Sequence, residues 1–185
     1  MNKLITLLIV LFISIGCTSD KKKITAALET EKIKETKISK DFTTIKDTEY
    51  TLHFEIENTN IQKPILVISM ELHNGSYFVS PHAKRDFKGK FYMDLGSYTH
   101  LDFEGDIIET SRSVEEIDEH PFVNGTINWV RENTTYKQQL NIKSEEDFEV
   151  YGRVRFTIEP RCTLEEIPFI ISYKNGVITF IESKC

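Results

Sequence analysis

The feature that most constrains this chain is an alternation of apolar and polar side chains that recurs from Tyr50 onwards. Its clearest example lies at residues 148–159, where every second residue except Gly152 is apolar. Successive side chains of a β-strand point to opposite faces, so this period predicts a strand with one buried face. Gly152 interrupts that face, which indicates either a bulge or a close approach of another backbone segment.

Three earlier segments, residues 50–56, 66–72 and 91–95, show the same alternation. Asn74-Gly75 and Asn175-Gly176 are typical of two-residue hairpin turns, and the second turn would pair Lys174 with Val177. With about nine short strands and no strong helix, the sequence predicts an all-β chain. We expect an immunoglobulin-like antiparallel β-sandwich.

The N-terminus has a different character. After Lys3, residues 4–15 form a mainly apolar run of 12 residues. As a helix this run would be about 18 Å long, short of the roughly 30 Å of a bilayer core, which favours a secretory signal over a membrane span. Ser14-Ile15-Gly16 before Cys17 resembles the lipobox of bacterial lipoproteins, although Ser14 stands where Leu is usual. The resemblance implies that Cys17 is acylated and begins the mature chain, whereas the alternative is an ordinary signal peptide with a chance cysteine.

These signals divide the chain into a signal peptide at residues 1–16, a charged tether at 17–47 and a β-sandwich domain at 48–185. Lys21-Lys22-Lys23 follows the lipid site, and it is either a contact with lipid head groups or part of a solvated tether. We expect a protein anchored by lipid in the bacterial cell envelope, at the outer membrane on its periplasmic or surface face.

Several kinds of chemistry find no support in the sequence. The net charge of −6, without a dense basic face, argues against a nucleic-acid partner. The five histidines lie in separate segments without zinc-site spacing, and no cofactor motif or catalytic constellation is present. The acidic residues 104–120 could bind calcium, but they lack the spacing of a calcium loop, so a solvated acidic loop is the simpler interpretation.

One resemblance covers residues 70–162. The segment LHNGSYFVS at residues 72–80, and VYGRVRF at 150–156 followed by Cys162, resemble landmarks of the immunoglobulin-like N-terminal domain of bacterial thiol–disulfide reductases, the disulfide-corrector family. The resemblance implies the fold and a thiol–disulfide exchange site at Cys162. The family has two cysteines in this loop and a tryptophan after the position of Gly75, and this chain has neither the first cysteine nor the tryptophan. A dithiol cycle needs an attacking and a resolving thiol, so the fold carries over more readily than the activity.

With the lipobox cysteine assigned to lipid, Cys162 and Cys185 remain as a possible pair in an oxidising compartment. The predicted hairpin places Cys185 opposite Glu166, roughly 13 Å along a straight strand from Cys162. A disulfide needs Cα atoms within about 7 Å, but Pro160 and Pro168 favour a loop that folds back. A structural disulfide, two free thiols and a redox pair all stay open.

The leading functional hypothesis is a membrane-anchored lipoprotein whose β-sandwich binds or scaffolds a protein partner without catalysis and without a cofactor. The alternative is thiol–disulfide exchange through Cys162. A third hypothesis, ligand capture by an exposed Trp129, requires this lone tryptophan to lie at the surface.

Overall fold

The computed structural model describes residues 43–57, 63–121 and 123–182, and these form strands and turns. None of the described segments is a helix that could cross a membrane. The signal peptide at residues 1–16, Cys17 and Cys185 lie outside the described residues. What the sequence predicts for them therefore stays a prediction.

Twelve strands follow one another along the described residues. They are β1 (Thr43–Lys46), β2 (Tyr50–Glu57), β3 (Ile65–Leu72), β4 (Phe78–Val79), β5 (Tyr92–Asp94), β6 (Leu101–Thr110), β7 (Glu115–Asp118), β8 (Gly125–Val130), β9 (Thr134–Ile142), β10 (Phe148–Ile158), β11 (Thr163–Lys174) and β12 (Val177–Glu182).

The strands form two packed layers of antiparallel sheet. The first layer has the order β1-β2-β3-β9-β6 and the second the order β12-β11-β10-β5. A third sheet, β4-β8-β7, extends the second layer, because Tyr77 beside β4 exchanges backbone hydrogen bonds of 2.8 and 3.1 Å with Glu159 beside β10. The immunoglobulin-like antiparallel β-sandwich expected from the alternation is thereby confirmed.

Aromatic rings hold the two layers together. Phe54 of β2 stacks on Phe180 of β12 with ring centroids 4.6 Å apart, and Tyr50 meets the ring of Phe156 edge-on at 5.1 Å. All four side chains are buried, and for Tyr50, Phe54 and Phe156 the alternation predicts this. Each aromatic ring buries a large apolar area, so these contacts fix the spacing of the sheets as well as stabilising them.

The turn at Asn74-Gly75 forms as predicted, with φ of 54° and 71°, but the hairpin expected after it is wrong. The next strand, β4, leaves β3 and pairs with β8 in the other layer. Phe78 of β4 is fully buried between the layers, where it contacts the rings of Phe91 and Phe156. Burial of that side chain decides where the strand goes, and the turn residues alone do not.

The acidic segment at residues 104–120 is not a loop, so that interpretation was wrong. Most of it lies in β6 and β7, which are edge strands that pair on one side with β9 and β8. The register of β6 shifts between Glu104 and Ile108. Acidic side chains and a bulge are common on edge strands, because they discourage pairing with a second protein. The alternation of apolar and polar residues is interrupted at this bulge, which explains why the sequence pattern did not predict β6 as a strand.

The expectation that Pro168 would interrupt the segment around β11 was wrong. Pro168 does not break the strand, since β11 runs straight from Thr163 to Lys174. Residue 168 has Arg153 opposite it in β10, whereas the described part of β12 ends at Glu182, opposite Phe169. The missing N–H of proline therefore faces a side where no described strand needs it. The predicted pairing of Lys174 with Val177 is present.

At the N-terminal end of the described residues, β1 lies within the segment assigned to the tether, so the sandwich includes residues before 48.

Gly152 marks a close approach and not a bulge, because the pairing of β10 with β11 is continuous through it. A Cβ atom at this position would lie 2.5 Å from the ring of Phe169 and 2.8 Å from the carbonyl oxygen of Asp94. The second contact is with backbone of β5, which cannot move without disturbing the edge of the sheet.

We therefore expect Gly152→Ala to destabilise the fold by about 1–3 kcal/mol, the usual cost of overpacking. Urea unfolding followed by circular dichroism would measure this change. Lys88→Ala, at an exposed loop position outside the sheet, serves as the control and should stay within about 0.5 kcal/mol of the natural chain. Equal stability of Gly152→Ala and the natural chain would contradict the close approach.

Candidate interaction surface

The outer face of the β12-β11-β10-β5 sheet carries an unusual set of side chains. The strand register aligns Tyr151 of β10, Ile170 of β11 and Ile181 of β12 in one row across three strands. A second row contains Tyr92, Arg155 and Glu166. We call this surface the tyrosine–arginine face, and it consists of Tyr92, Asp94, Tyr151, Arg153, Arg155, Leu164, Glu166, Pro168, Ile170 and Ile181.

Four large side chains of this face are substantially exposed. The exposed fractions are 48% for Tyr92, 55% for Tyr151, 52% for Leu164 and 42% for Ile181. Single exposed apolar residues are ordinary on protein surfaces, but a set on adjacent strands forms a patch. Tyrosine and arginine are also enriched among the residues that dominate binding at protein interfaces.

The charges on this face are separated by strand. Arg153 and Arg155 lie on β10, and the carboxylates that pair with them lie on β5 and β11. Arg153 is 3.3 Å from Asp94, while Arg155 is 3.7 Å from Glu166, too long for a good hydrogen bond. Among the described residues, the Nε of Arg155 is the one buried side-chain nitrogen or oxygen without a hydrogen-bond partner.

The outer face of the five-stranded sheet is different. Its side chains on β2, β3 and β9 are mostly polar, with Val67 buried among them, and they include His53, Glu55, Glu57, Ser69, Glu71, Thr135, Lys137, Gln139 and Asn141. They bond to one another across strands, as in the contacts of Lys137 with Glu57 at 2.9 Å and of Ser69 with Thr135 at 3.2 Å. This is the pattern of a solvated sheet face. The two outer faces of the sandwich are thus chemically unequal.

Trp129 is half-buried, so it is neither fully exposed, as the ligand-capture hypothesis requires, nor fully buried in the core. Its indole N–H donates to Asp118 at 2.9 Å, and its ring meets that of Tyr77 edge-on at 4.9 Å. The guanidinium of Arg131 covers Tyr77 at 4.3 Å from the ring centre. Because protein groups already occupy the indole N–H and one side of the ring, Trp129 supports the β4-β8-β7 sheet more clearly than a ligand site.

Cys162, the candidate exchange thiol, lies exposed in the loop between β10 and β11, with a positive φ of 55°. Its neighbour Arg161 joins this loop to the turn between β1 and β2. The guanidinium contacts Asp47 at 3.0 Å, Glu49 at 2.5 Å and Glu165 at 2.7 Å. Cys185, its proposed disulfide partner, lies outside the described residues, so the pairing stays a prediction.

Glu109 forms a second polar network, this one buried. Its carboxylate accepts hydrogen bonds from the hydroxyls of Ser80 at 3.0 Å and Tyr136 at 2.9 Å, and from the N–H and hydroxyl of Ser113 at 3.2 and 3.1 Å. Burial, and secondarily the carboxylate, raises the pKa of Tyr136. Ser80 and Tyr136 are fully buried and Glu109 is nearly so, which makes this network part of the interior of the sandwich. It fixes the point where β6 leaves the first layer towards β7.

The residues that sequence reasoning singled out do not converge on one site. No cluster of three or more His, Cys, Asp or Glu side chains among the described residues could hold a metal ion. The tyrosine–arginine face was missed, because Tyr151, Arg153 and Arg155 read only as the polar side of a strand. Their signal becomes visible once the register places them beside Pro168 and Ile170 of β11.

No protein family and no curated protein matches this chain. Among solved structures, it is similar to the GAE domain of GGA2p from Saccharomyces cerevisiae, with 10% identity and a TM-score of 0.40 over 73% of this chain and 99% of that chain. It is also similar to the GAE domain of yeast GGA1, with 8% identity and a TM-score of 0.39 over 74% of this chain and 100% of that chain.

The Arg161 network predicts a pH dependence of stability. The backbone N–H of Glu49, at 3.0 Å, and the guanidinium of Arg161 lower the pKa of Asp47 from 3.8 to about 2. A folded-state pKa below the unfolded one gives a contribution that is complete above about pH 4 and is lost as the pH falls towards 2. We expect Asp47→Asn to flatten the loss of stability in this window, measured by thermal melting at a series of pH values. Parallel profiles of the two proteins would contradict this assignment.

Proposed function

We propose that this chain is a lipid-anchored protein of the bacterial cell envelope whose β-sandwich binds another protein without catalysis. The tyrosine–arginine face is the docking surface. The observation that carries the proposal is the inequality of the two outer sheet faces. The polar face bonds within itself, whereas the other presents Tyr92, Tyr151 and Leu164 to solvent.

Anchoring is supported by the sequence around Cys17. A short basic start, an apolar run and small residues before that cysteine are what a lipoprotein signal requires. Acyl chains on Cys17 would attach the chain to a membrane, and residues 18–42 would separate the lipid from β1. A chain of 25 residues reaches at most about 85 Å, enough for the sandwich to contact a partner away from the lipid surface.

Docking through a sheet face is consistent with the mechanics of the fold. The face is built on β10 and β11, whose continuous pairing covers residues 148–158 and 163–173. Side chains on paired strands lose less conformational freedom on binding than side chains on loops, so a rigid aromatic face binds at lower entropic cost. Arg153 and Arg155 add charged groups that select the orientation of a partner.

Cys17→Ser tests the anchor. In the natural chain, expressed in its bacterial envelope, we expect incorporation of radiolabelled fatty acid and recovery in the membrane fraction. The variant has no thiol to acylate, so both label and membrane recovery should be lost. Cys162→Ser is the matched control and should leave both unchanged. Continued labelling of Cys17→Ser would reject the lipid site.

Site-specific photo-crosslinking in the envelope tests the docking surface. A photoreactive residue that replaces Tyr151 should form a crosslinked species, since the side chain points outwards from the centre of the face. The same residue in place of Lys137, on the outer face of the five-stranded sheet, should give none. Crosslinks from position 137 with none from position 151 would place docking on the outer face of the five-stranded sheet and overturn this part of the proposal.

A further inference from the structure

The four-stranded sheet that carries the tyrosine–arginine face is large enough to form a protein interface. Its four strands contribute 3, 11, 12 and 6 residues. At about 3.3 Å per residue and 4.8 Å between strands, they span a flat area of roughly 500 Å². This is the whole outer surface of the sheet, of which the tyrosine–arginine face is a part, and it is of the same order as the ~800 Å² per partner of a standard interface. A single partner of domain size would cover it.

The charges on this face show what kind of partner fits. The arginines, Arg153 and Arg155, lie on β10, and Glu166 lies on the adjacent β11. Consider a two-fold axis that lies above the outer face, parallel to the strands and midway between β10 and β11. Rotation about this axis would place each β10 over the β11 of a second copy. Because the axis preserves height along the strands, Arg155 would then face Glu166 of the second copy, and the reverse contact would form equally.

The same operation matches the apolar side chains. Tyr151 and Ile170 are opposite each other in the register, so the two-fold places Tyr151 against Ile170 of the second copy. Sheets that pack face to face do so about 10 Å apart with nearly aligned strands, which suits side chains of this length. One operation therefore satisfies both the charged row and the apolar row.

We propose that a second copy of this chain packs on the tyrosine–arginine face and forms a two-fold symmetric dimer. This inference rests on the proposed function, because it names the partner of the same face. Arg155 carries the specificity. Its guanidinium lies 3.7 Å from Glu166 of its own chain and has donors to spare for a second carboxylate.

Charge reversal with mixing tests the dimer. We expect the mature lipoprotein, in density-matched detergent, to sediment as a dimer. Arg155→Glu alone would oppose glutamates across the two-fold, and Glu166→Arg alone would oppose arginines, so each should associate at least tenfold more weakly. An equimolar mixture of the two variants should form a mixed dimer, because both contacts are then attractive. Glu71→Arg, on the outer face of the other layer, is the control and should sediment like the natural chain.

A monomer at every concentration overturns the inference, as does a mixture that remains monomeric while circular dichroism shows both variants folded. If either reversal variant fails to fold, Tyr151→Lys replaces it. This variant must weaken self-association at least tenfold, and unchanged association rejects the dimer. A monomeric natural chain that still crosslinks to a different envelope protein from position 151 rejects the second copy alone and leaves the proposed function standing.

Discussion

The structure depends on the mutual burial of aromatic side chains from the two layers. Phe91 stacks on Tyr136 at 4.0 Å, and Phe54, Phe156 and Phe180 complete the contacts between the sheets. A sheet has one face that must be buried, so these rings determine which face of each strand remains for other purposes. The same constraint explains why the chain crosses from β3 in the first layer to β4 in the second. In β4, Phe78 is buried between the two layers.

Since the inner faces are committed to the core, a function must use the outer faces, the edges or the loops. The long edge strand β6 is acidic and irregular in register, which protects it from pairing with another protein. The loop of Cys162 is bound to the turn of Asp47 through Arg161. Of the two outer faces, that of the five-stranded sheet is mostly polar, and several of its side chains bond to one another across strands. Between these two faces, the tyrosine–arginine face is the one that combines exposed apolar side chains with charged ones.

The sequence predicts local features of this fold well. Alternation identifies the buried face of β10, and Asn175-Gly176 sets the register of β11 and β12. It fails where distant segments decide the outcome. The pairing of β4 with β8 and the strand character of residues 104–110 depend on partners far away in the chain. The sequence also fails to predict the candidate surface, and for the same reason. Tyr151 and Ile170 form a row only after β10 and β11 pair, and that pairing is not encoded in either segment alone.

The proposed lipid anchor and the proposed face-to-face dimer would reinforce each other physically. An exposed ion pair such as Arg155 with Glu166 contributes little by itself in water, and two such pairs with a few apolar contacts give modest affinity. Attachment of both copies to one membrane would confine them to a thin layer and raise their effective concentration without any new contact. A small interface of modest affinity would therefore suffice for two copies that share a membrane. In the proposed dimer, the separation of arginines on β10 from carboxylates on β11 would serve chiefly to fix the orientation of the two copies, since charge complementarity governs specificity more than strength.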